Sequence, residues 1–158
     1  MNPSDVQRKV IDLLRSKLID VNSYRRSKQK NWIYSDFPKL TATMPRISVE
    51  LIDSPLTPLG VGTNARIQNL RFDVSILVDR NAKYDVNNDG EKNSPEEVAS
   101  HLSHEVMATI TKNQSELKET GLLYLYPTDE RQLESGNSNT MLRQVELQGI
   151  LIRRFSEI

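Results

Sequence analysis

The segment Asp85–Glu96 has the side chains that a calcium-binding loop requires. Acidic or amide residues occupy its first, third and fifth positions, glycine the sixth and glutamate the twelfth. Side-chain oxygens would bind calcium, the seventh residue would contribute its backbone carbonyl, and the glycine would permit a sharp turn. The candidate ligands are Asp85, Asn87, Asp89, Glu91 and Glu96, with Asn93 as a direct or water-bridged ligand.

This loop resembles an EF-hand loop and, more closely, the calcium loop of dockerin modules, which also leads straight into a helix. Lys92 departs from both families, because they carry an apolar residue at that position. The preceding segment is predicted to be a strand, and no second loop is present for pairing. The same residues also suit an ordinary turn capped by Ser94. Calcium is therefore one of two interpretations, with a Kd on the order of 10⁻⁴ to 10⁻³ M and a bracing role.

Two histidines could hold a different metal. His101 and His104 are three residues apart on a predicted helix, so their imidazoles lie on roughly one side. With Glu97 or Glu105 they could bind zinc, and a small metal-dependent hydrolase is one function class to consider. The sequence offers no third ligand at a known spacing. We expect these histidines to be surface residues.

Other catalytic patterns are weak or absent. Glu116 and Lys118 could belong to a nuclease-type carboxylate–lysine set with Asp73, Asp79 or Glu50 as the partner carboxylate. They fall at a helix end, however, and such a set needs adjacent strands. The sequence has no cysteine, which excludes a thiol nucleophile, a disulfide scaffold and a cysteine zinc site. We therefore expect no enzyme activity and no required cofactor, with Ca²⁺ as the one candidate ion.

Helical and strand periodicities along the chain predict which elements position these residues. Ser4 and Gln7 are predicted to form a capping box at the start of an N-terminal helix over residues 1–21. An aromatic cluster follows, which is predicted to form a lid on the core or a contact surface; its residues are Trp32, Ile33, Tyr34 and Phe37. In the first half, the prediction is a strand over Arg46–Ile52, a loop over 54–65, a strand over Ile67–Val78 and a polar loop over Asp79–Asn93. In the second half, it is a helix that begins with Ser94 as N-cap and ends around Lys112–Leu117, a strand over Gly121–Tyr126, a loop over 129–140 and a final strand over Met141–Phe155.

The element order favours a single α+β domain over residues 1–158, with an antiparallel β-sheet and two helices packed on one face. The 158 residues carry 21 basic and 21 acidic side chains, so bulk electrostatic binding to nucleic acid is disfavoured. Apolar runs are too short to span a membrane, and the N-terminus does not have the pattern of a signal peptide. Nine of the basic residues and four acids lie in the first 40 residues, so the chain is dipolar, with +5 there and −5 beyond.

The pattern of elements resembles the tail-terminator, or tail-completion, proteins that join head to tail in tailed phages and viruses. The resemblance spans roughly residues 4–155 and no short motif in it is diagnostic. It is carried by Met44–Glu50, the Pro- and Gly-rich Asp53–Gly62, Arg71–Val78 and Glu97–Ile110.

The resemblance implies a structural virion protein that forms a homohexameric ring at the head-proximal end of the tail tube. Such a ring ends tube growth and binds the tube protein, the head–tail connector or neck protein and, in a contractile tail, the sheath protein. The genome would pass through its lumen without sequence-specific contact, and assembly would take place in the host cytoplasm. Residues 54–65 and 129–140 are expected to protrude towards neighbours, although both also suit ordinary surface loops. The alternative class is a calcium-dependent binding module that uses Asp85–Glu96.

Overall fold

The computed structural model describes residues 2–35, 43–58, 64–118, 121–133 and 139–155. Within them the chain forms four helices and a six-stranded sheet. The helices are α1 (Pro3–Lys17), α2 (Ser23–Ser27), α3 (Pro95–Lys112) and α4 (Gln114–Lys118). The strands are β1 (Ile33–Tyr34), β2 (Arg46–Asp53), β3 (Leu56–Pro58), β4 (Ala65–Asp79), β5 (Leu122–Leu133) and β6 (Thr140–Arg154). The predicted single-domain α+β class is confirmed.

The sheet has the strand order β1-β2-β4-β6-β5, and β3 pairs with the first residues of β4. All pairs are antiparallel except β1 with β2, which is parallel, so the sheet is mixed and not purely antiparallel. β4 and β6 pair without a register shift from Ala65 opposite Arg154 to Asp79 opposite Thr140. This long pair forms the centre of the sheet, and β1 and β5 form the two edges of the sheet.

One face of the sheet is apolar and packs against α1 and α3. Phe72, Val74 and Ile76 of β4 are fully buried there together with Val10 and Leu14 of α1. Side chains alternate between the two faces of a strand, so the residues between them point to the opposite side. We call the first side the helix-covered face. We call the other the polar face, and its central side chains are Ser48, Asp73, Ser75, Gln144 and Glu146.

The two long helices begin with side-chain caps, one of them as predicted. Ser94 caps α3 and Pro95 occupies its first turn. The predicted Ser4–Gln7 capping box is wrong, because α1 begins earlier. The Asp5 N–H donates to Asn2 Oδ1 (2.9 Å), and the Asn2 N–H donates to Asp5 Oδ2 (3.0 Å). Gln7 is thereby released to donate to the Val49 carbonyl of β2 (2.8 Å).

Two segments predicted as loops contain strands. Asp129–Leu133 continues β5 and Thr140 begins β6, and residues 134–138 lie outside the described part. The predicted stop at Pro127 is wrong because β5 is an edge strand, where a missing N–H need not remove a ladder hydrogen bond. In the segment 54–65, Leu56–Pro58 forms β3, and residues 59–63 lie outside the described part.

The aromatic segment predicted as a lid or contact surface belongs partly to the sheet. Ile33 and Tyr34 form β1, with Ile33 opposite Ile47 of β2. Trp32 and Ile33 are buried in the core. Phe37 lies outside the described residues. The predicted N-terminal helix over 1–21 ends at Lys17, and the following residues lead into the short helix α2.

Candidate functional site

The Asp85–Glu96 segment closes on itself through the carboxylate at its first position. Asp85 accepts hydrogen bonds from the backbone N–H groups of Gly90 (2.9 Å) and Asp89 (3.1 Å). Gly90 has φ of 86°, in the left-handed region that favours glycine. These hydrogen bonds, above all the one from Gly90, hold the pKa of the Asp85 carboxyl below its ordinary value. The loop is therefore folded around the residue that would be its first calcium ligand.

The far end of the same segment is occupied by helix capping. Asn93 donates to Glu97 Oε2 (2.6 Å), and its own Oδ1 accepts from the Val86 N–H (3.3 Å). The Asn93 hydrogen bond, with a second from Ser94, lowers the pKa of the Glu97 carboxyl. Glu96, the predicted last ligand, is exposed. In the part of the chain that the structure describes, no three His, Asp or Glu side chains are placed to hold a metal ion.

The other predicted chemical groups are dispersed. His101 is half-buried in a cleft beside the end of α1, near Lys17 and Glu105, whereas His104 is exposed. Glu116 lies on α4, which packs on the helix-covered side of the sheet. Asp73 points to the polar face. The sheet therefore separates the two carboxylates that a nuclease-type set would have to bring together.

A buried ion pair organises the basic N-terminal region. Arg25 and Asp20 contact each other through two hydrogen bonds, Nε to Oδ2 (2.6 Å) and Nη2 to Oδ1 (2.8 Å), with both side chains almost fully buried. The guanidinium also donates to the carbonyls of Thr43 (2.7 Å) and Pro45 (2.6 Å). It lies over the Trp32 ring, with its central carbon 5.5 Å from the ring centroid. One side chain thus ties α2, Trp32 and the start of β2 together.

A cleft of about 620 Å³ opens beside this ion pair at the β1 edge of the sheet. Three of its lining side chains are cationic and three are apolar. We call it the basic cleft, defined by Arg15, Leu18, Ile19, Arg26, Lys30 and Trp32. Arg15 donates to the Ile33 carbonyl (2.8 Å), and Arg26 donates to the Asp20 carbonyl (3.2 Å). Two of the three cations are therefore held in place.

Four carboxylates form a row across the polar face. Strand register places Glu50 opposite Asp73, Asp73 opposite Glu146, and Glu146 opposite Asp129. Like charges at directly opposed positions of a sheet are destabilising unless they are compensated. Two arginines compensate: Arg71, diagonal to Glu146 across the β4–β6 pair, has its Nε 2.6 Å from Glu146 Oε1, and Arg131, two residues along β5 from Asp129, has its Nη1 3.8 Å from Asp129 Oδ2. We call these four residues the acidic row.

The centre of the polar face contains buried polar atoms that form no hydrogen bond with any described residue. Asp73 is 7% exposed and Ser48 is fully buried, yet Asp73 Oδ1 and Ser48 Oγ have no hydrogen-bond partner among residues 2–35, 43–58, 64–118, 121–133 and 139–155. Burial raises the pKa of the Asp73 carboxyl, against the opposing effect of Arg71 and Arg131 and with a contribution from Glu146. Orphaned groups of this kind are rare in folded proteins, which marks this face for attention.

Sequence reasoning missed the acidic row. Alternation places Glu50 and Asp73 on the polar sides of their strands, but the row exists only because the register aligns four strands. Register is not visible in a single strand's sequence. The signal that could have found it is the presence of an acid near the middle of each predicted long strand.

Comparisons with known proteins were informative at the level of fold. No protein-family model matches the chain, and no curated protein matches its sequence. Solved structures are similar to it, among them a chain of the virion of a native gene transfer agent particle. The similarity has a TM-score of 0.53 at 11% sequence identity and covers 93% of this chain and 94% of that one. The two chains therefore share a fold over nearly their whole lengths.

None of the described helices is both long enough and apolar enough to cross a membrane.

Proposed function

We propose that this chain is a structural protein of a virion or virion-like particle. The observation that supports this proposal is the fold shared with a chain of a gene transfer agent virion over 93% of the present sequence. A similarity over part of the two chains could reflect a substructure that many unrelated proteins share. Here the similarity covers 93% of this chain and 94% of the other. The chain would act through surfaces that bind other particle proteins and not through catalysis.

The finer proposal is a tail terminator. In it, six copies form a ring at the head-proximal end of the tail tube, stop tube growth and join the tail to the neck protein. The chain's partners would be further copies of itself, the tube protein, the connector and, in a contractile tail, the sheath protein. The dipolar charge, +5 in the first 40 residues and −5 beyond, supports contacts between unlike surfaces. The protein would reside in the tail or neck of the particle after assembly in the host cytoplasm.

Light scattering tests the ring directly. We expect purified protein, alone or after addition of the tube protein of the same particle, to reach the mass of six subunits and to show rings in negative stain. A protein that stays monomeric in both samples would contradict the terminator proposal. The unrelated protein lysozyme, added in place of the tube protein, controls for non-specific association.

A calcium-dependent binding module is the second candidate, favoured by the hydrogen bonds that fold the loop around Asp85. Calcium titration by calorimetry tests it. Asp85→Ala combined with Glu96→Ala should abolish the heat of binding, because both carboxylates would be ligands. Glu91→Ala is the matched control, since that position would contribute only its backbone carbonyl. No heat with the unaltered protein at millimolar calcium would exclude this candidate.

A further inference from the structure

The large apolar side chains that remain exposed gather mainly at opposite edges of the sheet. Among the described residues, Ile19 (71% exposed) lines the basic cleft, and Tyr24 (67%) lies on α2 next to Arg25, whose guanidinium lies over Trp32 just before β1. Leu123, Tyr124 and Tyr126 are exposed on β5, at the other edge. Exposed apolar groups that cluster are typical of contact surfaces, whereas single ones are not. Two such clusters on one chain indicate two separate contact surfaces.

The β1 edge provides a preformed receptor surface. Ile19 lines the basic cleft together with its cationic side chains, of which Arg15 and Arg26 are already fixed by backbone carbonyls. Lys28 covers the Tyr24 ring, with its Nζ 4.5 Å from the ring centroid. This surface combines exposed apolar side chains with cationic ones. It therefore fits a partner surface with aromatic rings and a carboxylate.

The β5 edge has that composition. The Tyr124 and Tyr126 rings stack with centroids 5.7 Å apart. Asp129, at the end of the acidic row, is half exposed. Pro127 and the register shifts on both sides of the tyrosines interrupt the regular edge, which disfavours simple strand addition. Contact at this edge would therefore be made through side chains.

We propose that the β5 edge of one copy docks on the basic cleft of the next copy. In this contact Tyr124 and Tyr126 would cover Ile19, and Asp129 would face Arg26 and Lys30. Because the two surfaces differ and lie at opposite edges of one sheet, the contact is heterologous, and repetition of it closes a ring or extends a filament. This inference rests on the proposed ring and names the surfaces that form it.

A charge exchange tests the pairing. Asp129→Lys alone and Lys30→Glu alone should each weaken ring formation by at least about tenfold, because like charges would then meet at every contact. Mixing the two variants should restore rings, since each variant retains one unaltered surface and the altered surfaces complement each other. An even-numbered ring closes with the two variants in alternation. Lys112→Glu, an exposed change on α3, is the control and should assemble normally.

Cysteine cross-linking provides a second measurement, and the chain has no cysteine of its own. A chain with both Ile19→Cys and Tyr126→Cys should give a ladder of linked copies with a short bifunctional thiol reagent. A mixture of the two single variants should give dimers only, and Leu56→Cys with Ile19→Cys should give none. Normal rings in both charge variants would overturn this pairing, and so would rings that give no cross-linked ladder. Either outcome would leave the proposal of a ring standing. An unaltered protein that forms no ring at all would instead overturn the proposed function, and the pairing with it.

Discussion

The two faces of the central sheet are both buried at their middle but by different chemistry. On the helix-covered face Phe72 and Val74 are sealed under helices among other apolar groups. On the polar face Asp73 and Ser48 are also buried, yet each has an atom without a hydrogen bond to any residue that the structure describes. Burial of apolar surface stabilises the fold, whereas burial of an unpaired polar group costs free energy. The apolar face therefore contributes to the stability of the fold, whereas the unpaired polar groups of the polar face lower it.

The largest effect is expected on the helix-covered face. Phe72→Ala should lower the free energy of unfolding by about 3–5 kcal/mol, because the ring is fully buried and a cavity would remain. Urea denaturation followed by circular dichroism measures this change. Arg71→Ala is the neighbouring control on the other face, with a half-exposed side chain, and it should cost much less. Equal losses for the two variants would contradict the distinction between the faces.

A smaller loss is expected at Gly149, on the same face of β6. A Cβ at this position would collide with the Tyr124 carbonyl and approach the Leu125 side chain to 2.8 Å. Gly149→Ala should therefore destabilise the protein by about 1–3 kcal/mol, the usual cost of overpacking. Thermal unfolding gives the measurement. Gly90→Ala provides a contrast, because nothing lies within 4 Å of its added Cβ and only its positive φ causes strain. If Gly149→Ala unfolds at the same temperature as the unaltered protein, β5 must be able to move away from the added methyl group without loss of stability.

On the polar face the sign of the effect should reverse. Asp73→Asn should raise the free energy of unfolding at pH 7 by about 1 kcal/mol, because it removes a buried charge that lacks a full set of partners. The pKa of Asp73 is higher in the folded protein than in the unfolded chain, where it is near 4. The folded state therefore takes up the proton first as the pH falls, and the penalty for burying the charge decreases between the two pKa values. The advantage of the variant should therefore shrink on acidification. A destabilised variant at pH 7 would mean that the charge is compensated.

The smallest effect is expected at the rim of the polar face. Arg131→Gln removes an exposed ion pair with Asp129 whose closest atoms are 3.8 Å apart. Such pairs contribute about 0–1 kcal/mol, and salt screens them. The free energy of unfolding should change by less than about 0.5 kcal/mol. This difference between the variant and the unaltered protein should become smaller as the ionic strength rises. A loss above 1 kcal/mol would show that the acidic row depends on this arginine.

The elements with strong periodicity were predictable from sequence. The apolar alternation in β4 and the Ser94–Pro95 start of α3 are local signals, and both are confirmed. The parts that failed depend on tertiary context. Pro127 predicts the end of a strand unless that strand is known to lie at an edge, and Ile33–Tyr34 is too short to show alternation. The acidic row depends on register across four strands. The acids in the predicted long strands are visible in the sequence, whereas their alignment in one row is not.

The uninterrupted pairing of β4 with β6 also has a mechanical consequence. Fifteen residues in each strand give a ladder about 50 Å long at roughly 3.3 Å per residue. A force that pulls the two strands in opposite directions along their length loads all the hydrogen bonds of this ladder together, whereas a force across the sheet opens them one after another. The fold is therefore stiffest along its strands, and a particle joint made from it would resist tension best when the strands follow the direction of the load.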